Sequence, residues 1–257
     1  MTKDDNESKG GPTPAKVPGR ESLKPVLPKR FYKDAAVEQR DGKFLILLDG
    51  RGVKTPKKRD LALPTQALAE AIAVEWAEQG ERIDPATMPL TRIANTAIDA
   101  VADHMVAVAD DIQAFAGNDL TCYRAEGPEA LVRRQSDAWD PVLDWAKTTL
   151  GADFLVVQGI VPIEQPASSI AAVGKAIYGA GPFWLAALHM MTTLTGSALI
   201  ALAHALGRLT LEEAWAAAHV DETWQAEQWG WDAEAQARAR HRKEEFSAAS
   251  QALVLAE

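Results

Sequence analysis

Cysteine occurs once in the 257 residues, at Cys122. One thiol excludes an intrachain disulfide and any cysteine-based zinc site, and it suits a reducing compartment. In its setting, DLTCYRA, it reads as a small buried side chain rather than a nucleophile. Phosphate-binding glycines are missing too. There is no G-x-x-x-x-G-K-[ST] loop, and Gly179-Ala-Gly181-Pro182 lacks the strand and the third glycine of a dinucleotide turn, so it reads as helix punctuation. The histidines at 104, 189, 204, 219 and 241 form no H-x-x-x-H pair, which removes the helical zinc pattern and leaves each as a structural residue. No G-x-S-x-G elbow is present, and Ser197 in TGSAL reads as a helix cap. These absences leave no catalytic signature and no expected cofactor or metal.

Positive charge is scarce beyond residue 60. Residues 1–60 hold fifteen Lys/Arg against nine Asp/Glu, whereas residues 61–257 hold twelve against twenty-seven. An acidic main body argues against nucleic-acid binding, which needs a dominant basic face. The basic tip Arg51/Lys54/Lys57/Lys58/Arg59 is expected to be a solvated loop rather than a dock for an acidic partner. Charge of either sign is absent from 176–207, a length that could span a bilayer. That run, however, contains His189, Thr192, Thr193, Thr195, Gly196, Ser197 and His204. TTLTGS therefore reads as a break between two buried helices, with no stable membrane insertion expected. An apolar signal core is likewise missing from residues 1–28, and Asp4, Asp5, Glu7 and Glu21 are unlike a mitochondrial transit peptide. This stretch reads as a flexible tail on a bacterial, cytoplasmic protein.

What is present divides by periodicity. AAVEQR and KFLILLD flank Asp41-Gly42, a two-residue hairpin signal, and Asp49-Gly50 marks a second reversal before the short strands RGVK and DLALP. From Thr65, a candidate cap, Leu68, Ile72 and Trp76 recur at helical spacing. Ile98, Val101, Met105, Val108, Ile112 and Phe115 then step by threes and fours, and Asp140-Pro141 is either a kink or a new helix start. FLVVQGIVPI is the one later segment with β character. The expectation is an α+β protein. A β-rich N-terminal domain at 29–90 with one packed helix precedes a larger, mainly α-helical domain at 91–257, which has a short β hairpin near 154–163.

Thr210-Leu-Glu-Glu213 has capping-box spacing and starts the helix that carries DETWQAEQWGWD. At 100° per residue Leu211, Trp215, Ala218, Glu222, Gln225, Ala226 and Trp229 share one stripe. Val220, Ala217, Trp224 and Trp231 lie opposite, so the helix is expected to be sandwiched between apolar layers. Glu222 falls in the middle of the stripe. It is either a core carboxylate paired with an arginine or helix terminus, or a polar anchor left for another protein's donor. An alternative of a different class is a small-molecule enzyme using Glu222, Asp221 or Asp232 with His219.

Five stretches, in order over residues 29–236, together resemble one family: KRFYKDAAVEQRDGKFLILLDGRGVKTPKKRDLALPT, VEWAEQGERIDPATMPLTRIANTAIDA, DLTCYRA with QSDAWDPVLDW, TGSALIALA, and DETWQAEQWGWDAEA. They are similar to the Atp-twelve family, the assembly chaperones that hold the free α subunit of the F-type ATP synthase. The resemblance implies a non-enzymatic protein that shields the β-facing interface of that subunit until the hexamer forms, with no nucleotide required. Family members are usually mitochondrial; the acidic, polar tail here departs from that. By motif the resemblance carries partner contact onto Glu222, with Gln225, Trp229 and Asp232 in the same segment. It also touches Trp76, Arg92 and Asn95. Trp76, on the apolar stripe of its helix, is expected to be structural, and Asn95 to satisfy loop backbone.

Overall fold

The structure, a computed structural model, describes residues 27–230 and 232–257. The expected tail therefore lies outside the described residues except for Leu27 and Pro28, and so does Trp231.

Strands β1 (Ala35–Arg40) and β2 (Lys43–Leu48) pair antiparallel around Asp41-Gly42. Both turn residues have positive φ, 51° and 75°, the two left-handed positions that a type I′ turn demands and that Asp-Gly supplies. Asp49-Gly50 repeats the device and returns the chain along the other edge of β2. There β3 (Arg51–Gly52) pairs with Leu47 and Leu48, and β4 (Ala62–Leu63) with Phe44 and Leu45.

The five basic residues of the tip between β3 and β4 are exposed, as the sequence suggested, but the loop is not free. It is docked on helix α2 (Pro89–Asp99). Asp99 accepts from the Thr55 hydroxyl at 2.6 Å and the Lys57 amide at 2.8 Å, while Lys57 Nζ and Arg59 Nη1 donate to the carbonyls of Asp99 and Ile98. Cations on the last carbonyls suit the negative end of a helix. They also take the acceptors that a further helical turn would use, and Arg59 pairs with Asp103 beyond. The periodic stretch 98–115 is accordingly broken by a 3₁₀ turn at Val101–Asp103 before α3 (Met105–Phe115).

Helix α1 (Gln66–Ala77) starts at Thr65, whose hydroxyl accepts from the Leu68 amide. It supplies the missing cap of α2, whose N-cap Met88 has no side-chain acceptor. Glu75 receives the amides of Leu90 and Thr91 at 2.7 and 2.8 Å and the Thr91 hydroxyl at 2.7 Å. Burial nonetheless raises its pKa, the hydrogen bonds offsetting only part of the desolvation. Glu75→Ala strands three donors at a helix start and is expected to cost about 1–2 kcal/mol, read as a lower urea midpoint at unchanged slope.

Beyond α3 the chain forms β5 (Tyr123–Arg124), α4 (Glu129–Trp145), β6 (Val157–Gln158), α5 (Ala167–Ile177), α6 (Pro182–Thr195), α7 (Ala198–Ala205), α8 (Leu211–Ala218), α9 (Val220–Trp229) and α10 (Ala233–Leu255). Pro141 sits inside α4, which runs through it. The hairpin expected near 154–163 does not form. Val157–Gln158 instead pairs parallel with Tyr123–Arg124, because the Gln165 side chain bonds both backbone groups of Leu155, which a hairpin partner would have used. The TTLTGS break is present: Gly196 at φ 68° ends α6, and Ser197 caps α7 through the Ile200 amide. Among the described residues no helix is long and apolar enough to cross a membrane.

The α+β composition is as expected. One buried cluster runs from Ile46, Leu63 and Ile72 through Ile93, Ile112, Trp139, Leu188 and Leu199 to Phe246 and Leu253. No gap in this core marks residue 90, since α2 packs on α1, α6 and α10 alike.

Candidate functional site

The segment DETWQAEQWGWD lies on a different helix from the one that the capping box starts. Thr210 and Glu213 do form that box, but α8 stops at His219. The reason is local. The Trp215 carbonyl, which would take the His219 amide in a continuing helix, lies 2.8 Å from His219 Nδ1, and the amide turns to Ala216 instead. The imidazole stacks on the Trp215 ring with centroids 3.7 Å apart. Helix α9 restarts at Val220 and ends at Gly230, φ 85°, and Asp232 caps α10 by accepting from the Ala235 amide at 2.8 Å.

Leu211, Trp215 and Ala218 pack on the core as the periodicity required. Past the break the same stripe faces elsewhere. No described residue of α9 is buried, and Trp229 is 88 % exposed, so the expected sandwich between two apolar layers is wrong for this helix. Trp224 is half-buried beneath the Arg134 guanidinium, 4.9 Å from its ring centroid, and Arg134 also pairs with Glu227 at 2.7 Å. Gln135 of α4 holds Asp221 at 2.7 Å. These contacts fix one flank of α9 against α4 and leave the opposite flank open.

That open flank and the first turns of α10 enclose a cleft of about 390 Å³. Glu222, Gln225, Ala226 and Trp229 form one wall, Ala235, Arg238, Ala239 and Arg242 the other, and Gly230 and Asp232 lie where the walls join. The four residues singled out by sequence for partner contact are thus brought together. Alanines keep the cleft shallow in side chains, Trp229 offers it a large apolar face, and the charges balance. Glu222 is half-exposed. Its Oε1 accepts from Arg242 Nη1 at 3.0 Å, and Arg242 Nη2 donates to the Leu194 carbonyl at the end of α6. The carboxylate is therefore arginine-paired but lies at the surface, not in the core.

Trp76, Arg92 and Asn95 lie outside this cleft. Trp76 is half-buried, edge-on to Tyr32 at 5.7 Å, with its carbonyl accepting from the Tyr32 hydroxyl. Arg92 pairs with Glu245 on the inner half of α10. Asn95 sits within α2, not in a loop, so it satisfies no loop backbone, and its buried Oδ1 has no partner among the described residues. Of the groups of the enzymatic alternative, Glu222 and a buried His219 lie 3.7 Å apart, whereas Asp221 is turned to Gln135 and Asp232 caps α10. Cys122 is buried and its thiol is pushed up to about 12, by desolvation first and then by Asp119. Two structurally decisive carboxylates, Glu75 and Asp119, escaped the sequence reading. The D-L-T spacing at 119–121 is the one local hint, since Asp119 accepts from the Thr121 amide.

With this geometry in hand, comparison with known proteins is specific. The family described as ATP12 chaperone protein matches residues 29–147. The crystal structure of a candidate chaperone from Agrobacterium tumefaciens is 52 % identical, with a TM-score of 0.87, over 90 % of this chain and 87 % of that one. The crystal structure of Atp12 from Paracoccus denitrificans is 41 % identical, with a TM-score of 0.84, over 90 % and 99 % of the two chains. A mitochondrial protein atp12 of Schizosaccharomyces pombe is 23 % identical over 214 residues, 79 % of this chain and 74 % of that one.

Proposed function

The chain belongs to the ATP12 chaperone family, and on that premise we propose that it assists assembly of the catalytic sector of the F-type ATP synthase. It holds the free α subunit and covers the surface of that subunit destined for the β subunit. The observation that carries this reading is the convergence of Glu222, Gln225, Trp229 and Asp232 on one open cleft with an 88 % exposed tryptophan. A large aromatic left in water beside a charged pair is the composition of a binding surface. The protein acts stoichiometrically, without nucleotide, metal or chemical turnover, and works in the bacterial cytoplasm without inserting in the membrane or binding nucleic acid.

The test is aggregation of isolated α subunit. Near-stoichiometric chaperone without ATP should suppress it, with the β subunit as the control that is not protected; failure to protect the α subunit refutes the proposal. Glu222→Lys places a second cation beside Arg242 at a half-exposed position, so the fold should survive. Its affinity for the α subunit should fall at least about tenfold, read by titration calorimetry, as expected when a charge is reversed at an interface. Gross unfolding of this variant would mean that Glu222 serves the fold instead.

A further inference from the structure

At the inner end of the cleft, Glu222 in its wall and His219 buried directly behind that wall are two acceptors with no donor between them. His219 Nδ1 is bonded to the Trp215 carbonyl. A carbonyl only accepts, so this nitrogen carries the proton, and the neutral ring presents a lone pair at Nε2. His219 is 6 % exposed, and its Nε2 has no hydrogen-bond partner among the described residues. It points at Glu222 Oε2, 3.7 Å away. Arg242 donates to the other oxygen, Oε1, and its second terminal nitrogen is committed to Leu194. Helix α9 adds Asp221 and Glu227 and carries no lysine or arginine.

Resting on the reading of this cleft as the α-subunit site, we propose that its inner end receives a single cationic side chain of the client, lysine or arginine, which donates at once to Glu222 Oε2 and His219 Nε2. A charge-assisted donor sits about 2.8 Å from each acceptor, which two acceptors 3.7 Å apart permit. Glu222 is half-exposed and can turn to admit the donor. Trp229, two helical turns along the same wall, covers the apolar part of the same client segment.

The internal competitor is a proton. The charged groups that face His219 are Glu222 from α9 and Arg242 from α10, while Trp215 stacks on its ring from α8. Burial holds its pKa below the usual histidine value, with the Trp215 bond and Glu222 opposing, so the ring is neutral at neutral pH. Once it is protonated, Nε2–H serves Glu222 and closes the receptor from within.

Titration calorimetry of the full chain with isolated α subunit decides this. Glu222→Gln keeps an acceptor for Arg242 but removes the charge, and it should weaken binding about tenfold or more. His219→Phe keeps an aromatic ring on Trp215, removes Nε2, and should weaken binding too. Wild-type affinity should fall on acidification through the His219 titration, and that fall should be absent in His219→Phe. If Trp229→Ala weakens binding while Glu222→Gln binds like the wild type at both pH values, the cleft is right and the cationic receptor is wrong. If the wild type binds no α subunit, both readings fall. Should His219→Phe lose thermal stability, Glu222→Gln and the wild-type pH profile decide the matter.

Discussion

Asp119→Ala is expected to destabilise the protein by about 3–5 kcal/mol, the cost of stripping a buried polar cluster of its acceptor. Asp119 is 0 % exposed and accepts four hydrogen bonds. They come from the Thr121 amide and hydroxyl at 3.1 and 2.8 Å, the Ser197 hydroxyl at 2.7 Å and the Leu199 amide at 3.0 Å. It thereby seats the first turn of α7, a helix buried continuously from Ala198 to Ala203. Alanine leaves these buried donors without their acceptor. Asn would keep one acceptor but turn an amide N–H₂ towards the Leu199 N–H or the Ser197 hydroxyl, so Asp119→Asn should lose less, about 1–3 kcal/mol. Urea unfolding of both variants measures the difference. Desolvation raises the Asp119 pKa, and its hydrogen bonds oppose this only in part. The native state therefore holds this proton to higher pH than the unfolded chain does. The contribution of Asp119 is present below its ordinary range and declines as pH rises through the elevated folded value, a slope that Asp119→Asn should lack.

Trp139→Ala has a comparable expected cost, about 3–5 kcal/mol, from the cavity and the lost burial of a large aromatic. Trp139 is 1 % exposed, and its Nε1 donates to the Ala217 carbonyl at 2.7 Å. The guanidinium of Arg124, itself 5 % exposed and paired with Asp140, lies 5.1 Å from the Trp139 ring centroid. Truncation removes a core side chain, unpairs a carbonyl and uncovers a buried cation together. Trp139→Phe retains most of the volume but not the N–H, and should cost about 1–2 kcal/mol. Ala217 is two residues before the break at His219, so Trp139 braces the end of α8 on which α9 is mounted. Thermal unfolding reads the stability loss. Titration with α subunit should show Trp139→Phe weakening binding, although this ring lines no part of the cleft.

Legibility in the sequence followed the range of the interaction. Asp41-Gly42, Asp49-Gly50, Thr65, Thr210 with Glu213, and the TTLTGS break are each decided within about four residues, and all stand in the structure. What failed depended on distant partners. The 98–115 helix breaks because Lys57 and Arg59 take its carbonyls from some forty residues away, and the 154–163 segment pairs with a strand that precedes α4. For the site, the wheel placed Glu222, Gln225 and Trp229 on one face, and within α9 that holds. Projecting it back to Trp215 did not, because a single imidazole captured the Trp215 carbonyl and interrupted the helix. The resemblance supplied the segment; the periodicity could not tell a core face from a cleft wall.

Helix α10 makes one wall of the cleft with its first turns and buries Phe246, Ala249 and Leu253 with its last. Its two ends therefore open with different free energies. The inner half can release its amides to solvent only when the whole core comes apart, because it packs on α6, α2, α8 and α1. The outer half, wetted on most of its surface, frays at far smaller cost. On the proposed function, a client that settles into the cleft would meet one compliant wall on a fixed root, and ordering that wall would set part of the affinity.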